Sequence, residues 1–157
     1  MERVNAVLRH PVFMEALRCI EEQEAGRVFC GHGMEHLIDV ARIAWILCLE
    51  SGAGIDRELV YAAALLHDIG RCRQYEYGTP HELASTGIAS EVLPDCGYGE
   101  AEVALIIGAI RGHRRETETS AGFNALLYRA DKLSRRCFDC PTRDECYWPV
   151  QNEELEY

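Results

Sequence analysis

The sequence predicts an all-α fold: a single compact helical bundle of about six helices with a short Cys-rich C-terminal tail. Three observations carry that reading. Apolar residues recur at three- and four-residue spacing along nearly the whole chain. No alternating strand pattern of useful length, internal repeat or low-complexity segment interrupts them. The chain is 157 residues long, about one domain, and large enough to bury a core without staples.

Taken in order, residues 1–30 form a charged N-terminal helical segment. His10 precedes Pro11 there and is assigned no role. Residues 33–50 follow as a long apolar-rich helix on which His36, Val40, Ile43 and Leu47 line up. Val60, Ala63, Ala64 and His67 make the next stripe, and Gly70 is expected to stop that helix and let the chain turn away. Thr79 as N-cap, Pro80 at the first helical position and Glu82 read as a capping box, which puts His81 in a first turn where the helix dipole favours a neutral imidazole. Val103, Ile106, Ile107 and Ile110 share a face that His113 extends. Phe123, Leu126, Leu127, Ala130 and Leu133 share another, with Asp131 at its edge.

Composition narrows the function. The N-terminus "MERVNAVLRHPVF" carries charges and no apolar run of signal length, and the longest apolar run falls far short of the ~20 residues of a membrane span. We therefore expect a soluble cytoplasmic protein with no membrane partner, in which the eight cysteines are free thiols or metal ligands rather than disulfides. A formal net charge of -10 argues against a nucleic acid polymer as partner. Basic residues nevertheless gather in three short runs, Arg71 with Arg73, Arg111 with Arg114 and Arg115, and Arg129 with Lys132, Arg135 and Arg136. Each run adjoins a histidine or aspartate, as a local pocket for a small anion would require. For Arg135 and Arg136 alone, charges that complement a helix end are the better reading.

The histidines and aspartates form the constellation. His36, the adjacent His67 and Asp68, His81, His113 and Asp131 all fall at buried helix edges or helix ends. One histidine on an apolar face is usually a satisfied core residue, but a carboxylate buried beside an imidazole needs compensation, and six such groups together suit a cation. Mixed nitrogen and oxygen ligands fit Fe, Mn, Zn, Ni or Co, with Fe or Mn preferred here.

"EHLIDVARIA", "AAALLHDIGR" and "LLYRADKLSR" together resemble the HD superfamily of metal-dependent phosphohydrolases, whose signature is a histidine, a later His-Asp doublet and a final aspartate on separate helices. The resemblance covers residues 31–137 as the metal-binding core of a single HD domain spanning 1–157, with 138–157 as the Cys-rich tail. It implies His36, His67, Asp68 and Asp131 as ligands. His81 and His113 lie where binuclear members carry the ligands of a second ion, so one or two divalent transition metals are expected. Arg71 in "HDIGR" stands where a lysine is common, and it keeps the positive charge with a different geometry.

The implied reaction is hydrolysis of a small phosphorylated substrate, such as a nucleotide or dinucleoside polyphosphate, by metal-activated water. Asp68 would orient the water, and Arg71, Arg111, Arg114, Arg115 and Lys132 would bind substrate, with Arg71 also catalytic. HD-type di-iron oxygenases and regulatory nucleotide-binding HD domains are the alternatives, and a homo-oligomer is left open. His32, between Gly31 and Gly33, reads as a pocket-lining or capping residue. In the tail, Cys137, Cys140 and Cys146 could reach one metal, with a fourth ligand from a distant cysteine such as Cys30, Cys72 or Cys96, although free or redox-active thiols with Tyr147 and Trp148 as packing anchors are the preferred reading.

Overall fold

The computed structural model describes residues 1–113, 122–147 and 154–157. Its elements are α1 (Glu2–Arg9), α2 (Pro11–Gln23), α3 (Met34–Ser51), α4 (Arg57–Leu66), α5 (Arg71–Tyr77), α6 (His81–Asp95), α7 (Glu100–Gly112) and α8 (Phe123–Leu133), then two 3-10 turns at Cys137–Asp139 and Arg143–Glu145. The described residues contain no strand, as expected of an all-α bundle. No helix among them is long and apolar enough to cross a membrane.

Among the described residues, eight helices stand where about six were expected, for two local reasons. Pro11 begins a new helix, because it lacks the N–H that a continuous helix would need, and His10 caps that start by accepting from the Val12 N–H at 3.3 Å. The seven residues of α5 are too few and too polar to show a stripe.

Helix α3 packs along α4 and α8, while α7 packs on α4, α6 and α8. Leu37, Val40, Ala41, Ala44 and Leu47 of α3 are buried, and α4 beside it is buried on nearly every side, from Leu59 and Val60 through Ala62, Ala63 and Ala64 to Leu66. At the other end of the bundle, Arg3 of α1 joins α4 to α7. Its Nε donates to Glu58 at 2.7 Å and its Nη1 to both Glu102 oxygens at 2.9 and 2.8 Å, with the guanidinium over the Tyr98 ring.

Three expectations are corrected. Helix α6 begins at His81 with Pro80 as its N-cap, because Pro80 takes an extended ψ of 126°. Thr79 therefore stands outside the helix, and no side chain caps it, although His81 remains in the first turn. Gly70 does not provide a left-handed stop. Its φ is -78°, α4 has already ended at Leu66, and Gly70 begins α5. The glycine is needed for close approach instead, since a Cβ there would lie 2.3 Å from Ser85 N and 2.5 Å from His81 O. Finally, Cys19 and Cys72 form a disulfide between the neighbouring helices α2 and α5, with Cα atoms 5.7 Å apart, so these two are neither free thiols nor metal ligands; the other six cysteines are free.

Candidate metal centre

Five elements deliver the constellation to one place. His36 is in the first turn of α3, His67 and Asp68 occupy the bend between α4 and α5, His81 opens α6, His113 caps α7, and Asp131 lies in the last turn of α8. Each ligand lies at or within a turn of a helix terminus, so the helix ends converge on a shared polar centre. His67 and Asp68 are almost fully buried there, at 0% and 1% exposure.

The six side chains form two groups that share Asp68, each with its ligand atoms within 4.8 Å of one another: His36, His67, Asp68 and Asp131, and then Asp68, His81 and His113. In the first, His36 Nε2 lies 3.7 Å from Asp68 Oδ2 and 3.6 Å from Asp131 Oδ1, and His67 Nε2 lies 3.5 and 4.0 Å from the same two oxygens. In the second, His81 Nε2 and His113 Nε2 face the other Asp68 oxygen, Oδ1, at 3.2 and 3.7 Å. Ligands at 2.0 to 2.2 Å from an ion stand about 3 to 3.5 Å from each other, so both groups need only a slight contraction to coordinate.

Each histidine is oriented through its other nitrogen. Nδ1 of His67 donates to Ala64 O at 2.6 Å, Nδ1 of His113 to Ile110 O, Nδ1 of His81 to Gln74 Oε1 at 2.9 Å, and Nδ1 of His36 to Ser134 Oγ at 3.3 Å. The Ser134 hydroxyl is itself committed as a donor to Asp131 O at 2.8 Å, so it accepts from His36. The proton thus sits on Nδ1 in all four rings and the Nε2 lone pair faces the carboxylates, the tautomer a metal requires.

Electrostatics agree. Burial holds the His67 imidazole down to about 3, with the Asp68 charge opposing only in part, so the ring is neutral and able to ligate. Burial alone would raise the Asp68 carboxyl, but it is held well below its usual range, and with His67 neutral the permanent charge beside it is the Arg71 guanidinium, whose Nε is 2.8 Å from Oδ2. Asp131 is likewise kept low against its burial, with the Lys132 ammonium, whose Nζ is 2.6 Å from Oδ2, as the cation beside it. Among the described residues, the buried side-chain atoms without a hydrogen-bond partner are His36 Nε2, His67 Nε2, Asp68 Oδ1 and Arg71 Nε, the last of which is nevertheless ion-paired with Asp68 Oδ2 at 2.8 Å. All four belong to this centre. Buried polar groups are seldom left so, and a divalent cation in the first group would satisfy His36 Nε2 and His67 Nε2, as one in the second would satisfy Asp68 Oδ1.

The basic residues part company. Arg71 and Lys132 are engaged at the ligand carboxylates, and Lys132 also lies over the Tyr128 ring. Arg111 is exposed on α7, and Arg114 and Arg115 lie outside the described residues, as does Trp148. His32 lines the same pocket. Its Nε2 is 4.0 Å from Asp68 Oδ2, while Glu24 holds its Nδ1 at 2.6 Å and its backbone N–H at 2.7 Å. Glu24, Tyr75, Gln74 and Ser134 are the supporting groups that the sequence reading missed. Ser134, three residues after Asp131, and Gln74, seven before His81, had a spacing to suggest them.

The HD-domain family model matches residues 33–139 of the chain. An uncharacterized protein of Clostridium beijerinckii is 44% identical over 99% of this chain and 98% of its own length. Ribonuclease Y of Oleidesulfovibrio alaskensis is 26% identical over 80% of this chain, which spans only 22% of that protein's length. Among solved structures, a predicted HD superfamily hydrolase from an uncultured Thermotogales bacterium is similar with a TM-score of 0.63 and 25% identity, over 80% of this chain and 67% of that one.

Proposed function

The chain belongs to the HD-domain family, and on that premise we propose that it is a metal-dependent phosphohydrolase that cleaves a small phosphate ester or anhydride, a nucleotide or dinucleoside polyphosphate being the first choice. One observation carries the reading: Asp68 offers Oδ2 to His36 and His67 and Oδ1 to His81 and His113, with every imidazole turning Nε2 inward. His36, His67, Asp68 and Asp131 would hold one ion, and Asp68, His81 and His113 a second, with Fe or Mn preferred over Zn, Ni or Co for this ligand set. When bound, such an ion lowers the pKa of its water toward neutrality and draws charge from phosphate oxygens.

The chain's own groups do the rest. Asp68 orients the attacking water through the same carboxylate that it offers as ligand. Arg71 keeps Asp68 ionised through Nε and has its Nη donors for an anion, and Lys132 is the corresponding cation beside Asp131. Arg114 and Arg115 follow His113 directly in sequence and are proposed as further phosphate contacts, with exposed Arg111 as a rim charge. Although the ligand set would equally serve a di-iron oxygenase, a cation against each ligand carboxylate favours a phosphorylated substrate. A polymer is disfavoured by the net charge of -10, and ribonuclease Y shares only a fraction of its length with this chain.

The test is phosphate release by Mn- or Fe-loaded protein across nucleotides, dinucleoside polyphosphates and sugar phosphates. Release from one class, lost in Asp68→Asn, is expected. No release from any of them, with oxygen consumption by the iron-loaded protein, would transfer the chain to the oxygenases.

A further inference from the structure

The C-terminal tail is turned inward by the wrong residues for a hydrophobic anchor. Between Arg136 and Tyr147, only Cys137, Cys140, Thr142 and Cys146 are even partly covered; every other residue is exposed, including Phe138 at 43% and Tyr147 at 75%. Neither 3-10 turn of the tail buries a residue. A segment with so little apolar burial needs another source of order.

The tail faces the loop before α3. Thr142 Oγ1 donates to Val28 O at 3.1 Å, and the Tyr147 ring meets the Phe29 ring edge-on with centroids 6.0 Å apart. Cys146 precedes that tyrosine and Cys30 follows that phenylalanine, so each cysteine is the chain neighbour of a residue that joins tail to loop. Cys140 Sγ lies 3.5 Å from Thr142 Oγ1, on the hydroxyl that makes the first contact. Although Cys30 is exposed as a residue, its thiol is raised by burial first and then by the Cys137 and Cys140 thiols, against the lowering field of Arg135. All four thiols are free.

We propose that Cys30, Cys137, Cys140 and Cys146 bind one zinc ion as a tetrathiolate site that pins the tail to the loop leading into α3. Cys137 and Cys140 supply the C-x2-C half typical of structural zinc, and Cys146 and Cys30 close a tetrahedron from the following turn and the facing loop. Each thiol releases its proton to solvent as zinc binds, and no oxidant or reductant is needed. The four thiols are more widely spaced than the two histidine and carboxylate groups, whose ligand atoms lie within 4.8 Å of one another. Zinc would therefore draw the tail inward, coupling its ordering to metal. Because Cys30 stands two residues from His32 and the tail continues from the helix of Asp131, the clip would brace both sides of the central pocket.

Cobalt(II) added to the reduced, metal-stripped full-length protein tests this, since thiolate ligands give an intense near-ultraviolet charge-transfer band that nitrogen and oxygen ligands do not. The band should saturate at about one cobalt per chain and vanish on adding zinc. It should be lost in Cys30→Ser, Cys137→Ser, Cys140→Ser and Cys146→Ser and kept in Cys96→Ser and in His67→Ala, with circular dichroism showing that the helices survive. No band in the wild-type protein would overturn the site outright, whatever the variants do. A band unchanged in Cys30→Ser would remove the proposed fourth ligand, and iron-sulfur absorption in anaerobically purified protein would replace zinc.

Discussion

Gly70 donates its backbone N–H to Ser85 Oγ at 2.9 Å, and this one contact seats the bend that carries His67 and Asp68 against the first turns of α6, which carry His81. A methyl group on Gly70 would collide with Ser85 N, His81 O and the Ala84 Cβ, the last at 2.7 Å, and two of those atoms are backbone with nowhere to go. Gly70→Ala should cost roughly 1 to 3 kcal/mol or more and force α6 outward. Thermal unfolding checks the stability, and metal titration checks the site. Wild-type values for both would show that the bend can shift freely.

The support of each imidazole is separately testable. Gln74 is the group that receives the Nδ1 proton of His81, so Gln74→Ala should free that tautomer and weaken the ion held by His81 and His113 by about 10- to 100-fold. Gln74→Glu, which keeps an acceptor, should rescue much of the loss. Ser134→Ala should act in the same way on His36 and leave the His81 side unaffected. Isothermal titration with Mn resolves the two sites. Equal losses at both sites in either variant would contradict this division.

Helical periodicity is a short-range property, and it led directly to α3, α7 and α8 and to the positions of His36, His113 and Asp131 on or beside their buried faces. The coincidence of all six ligand-type residues was legible because each lies at a helix end or edge. What escaped the sequence depends on contacts distant along the chain. Glu24 has no reason in its own neighbourhood to be half-buried; it gains one from His32 and from Tyr75, 51 residues away. The Cys19–Cys72 pair is 53 residues apart and follows from the packing of α2 on α5, not from cysteine spacing. Gly70 shows the same limit from the other side. A glycine after a helix reads as a turn, and only the position of α6 reveals that the missing Cβ is the point.

Acid should loosen this end of the molecule in a defined window. Burial would raise the Glu24 carboxyl, but hydrogen bonds from His32 and Tyr75 overrule it and hold it at about 2, below its ordinary value of 4.5. A depressed carboxylate adds stability that is fully present above the unfolded value and is lost as pH falls from about 4.5 toward 2. His32 is depressed chiefly by burial, so the unfolded chain takes up its proton first and stability also falls with pH below about 6.5. The two effects have the same sign. Urea titrations of metal-free protein from pH 7 to 3 should show declining stability, and Tyr75→Phe should flatten the lower part of the curve by removing one of the bonds that depress Glu24. An unchanged slope in that variant would mean that Tyr75 does not sustain the charge.

Because Asp68 divides its two oxygens between the two groups, the variants should fall into an ordered series of metal stoichiometries. Wild-type protein saturated with Mn or Fe should carry about two ions per chain. His113→Ala and His36→Ala should each retain about one, on opposite sides of Asp68, and Asp68→Asn about none, since the amide removes the charge that both ions need. Stability should follow the same order: an ion at about a thousand times its Kd contributes about 4 kcal/mol per site, and chelation should return all but the apo-defective variants to a common baseline. Asp68→Asn should sit below that baseline without metal, because Arg71 Nε loses the carboxylate 2.8 Å away and its charge is left buried and unpaired. One ion per chain in the wild type, undiminished by His113→Ala, would reduce His81 and His113 to groups that line the pocket around a single metal, and would leave the Asp68 oxygen facing them to be satisfied by the substrate or by water.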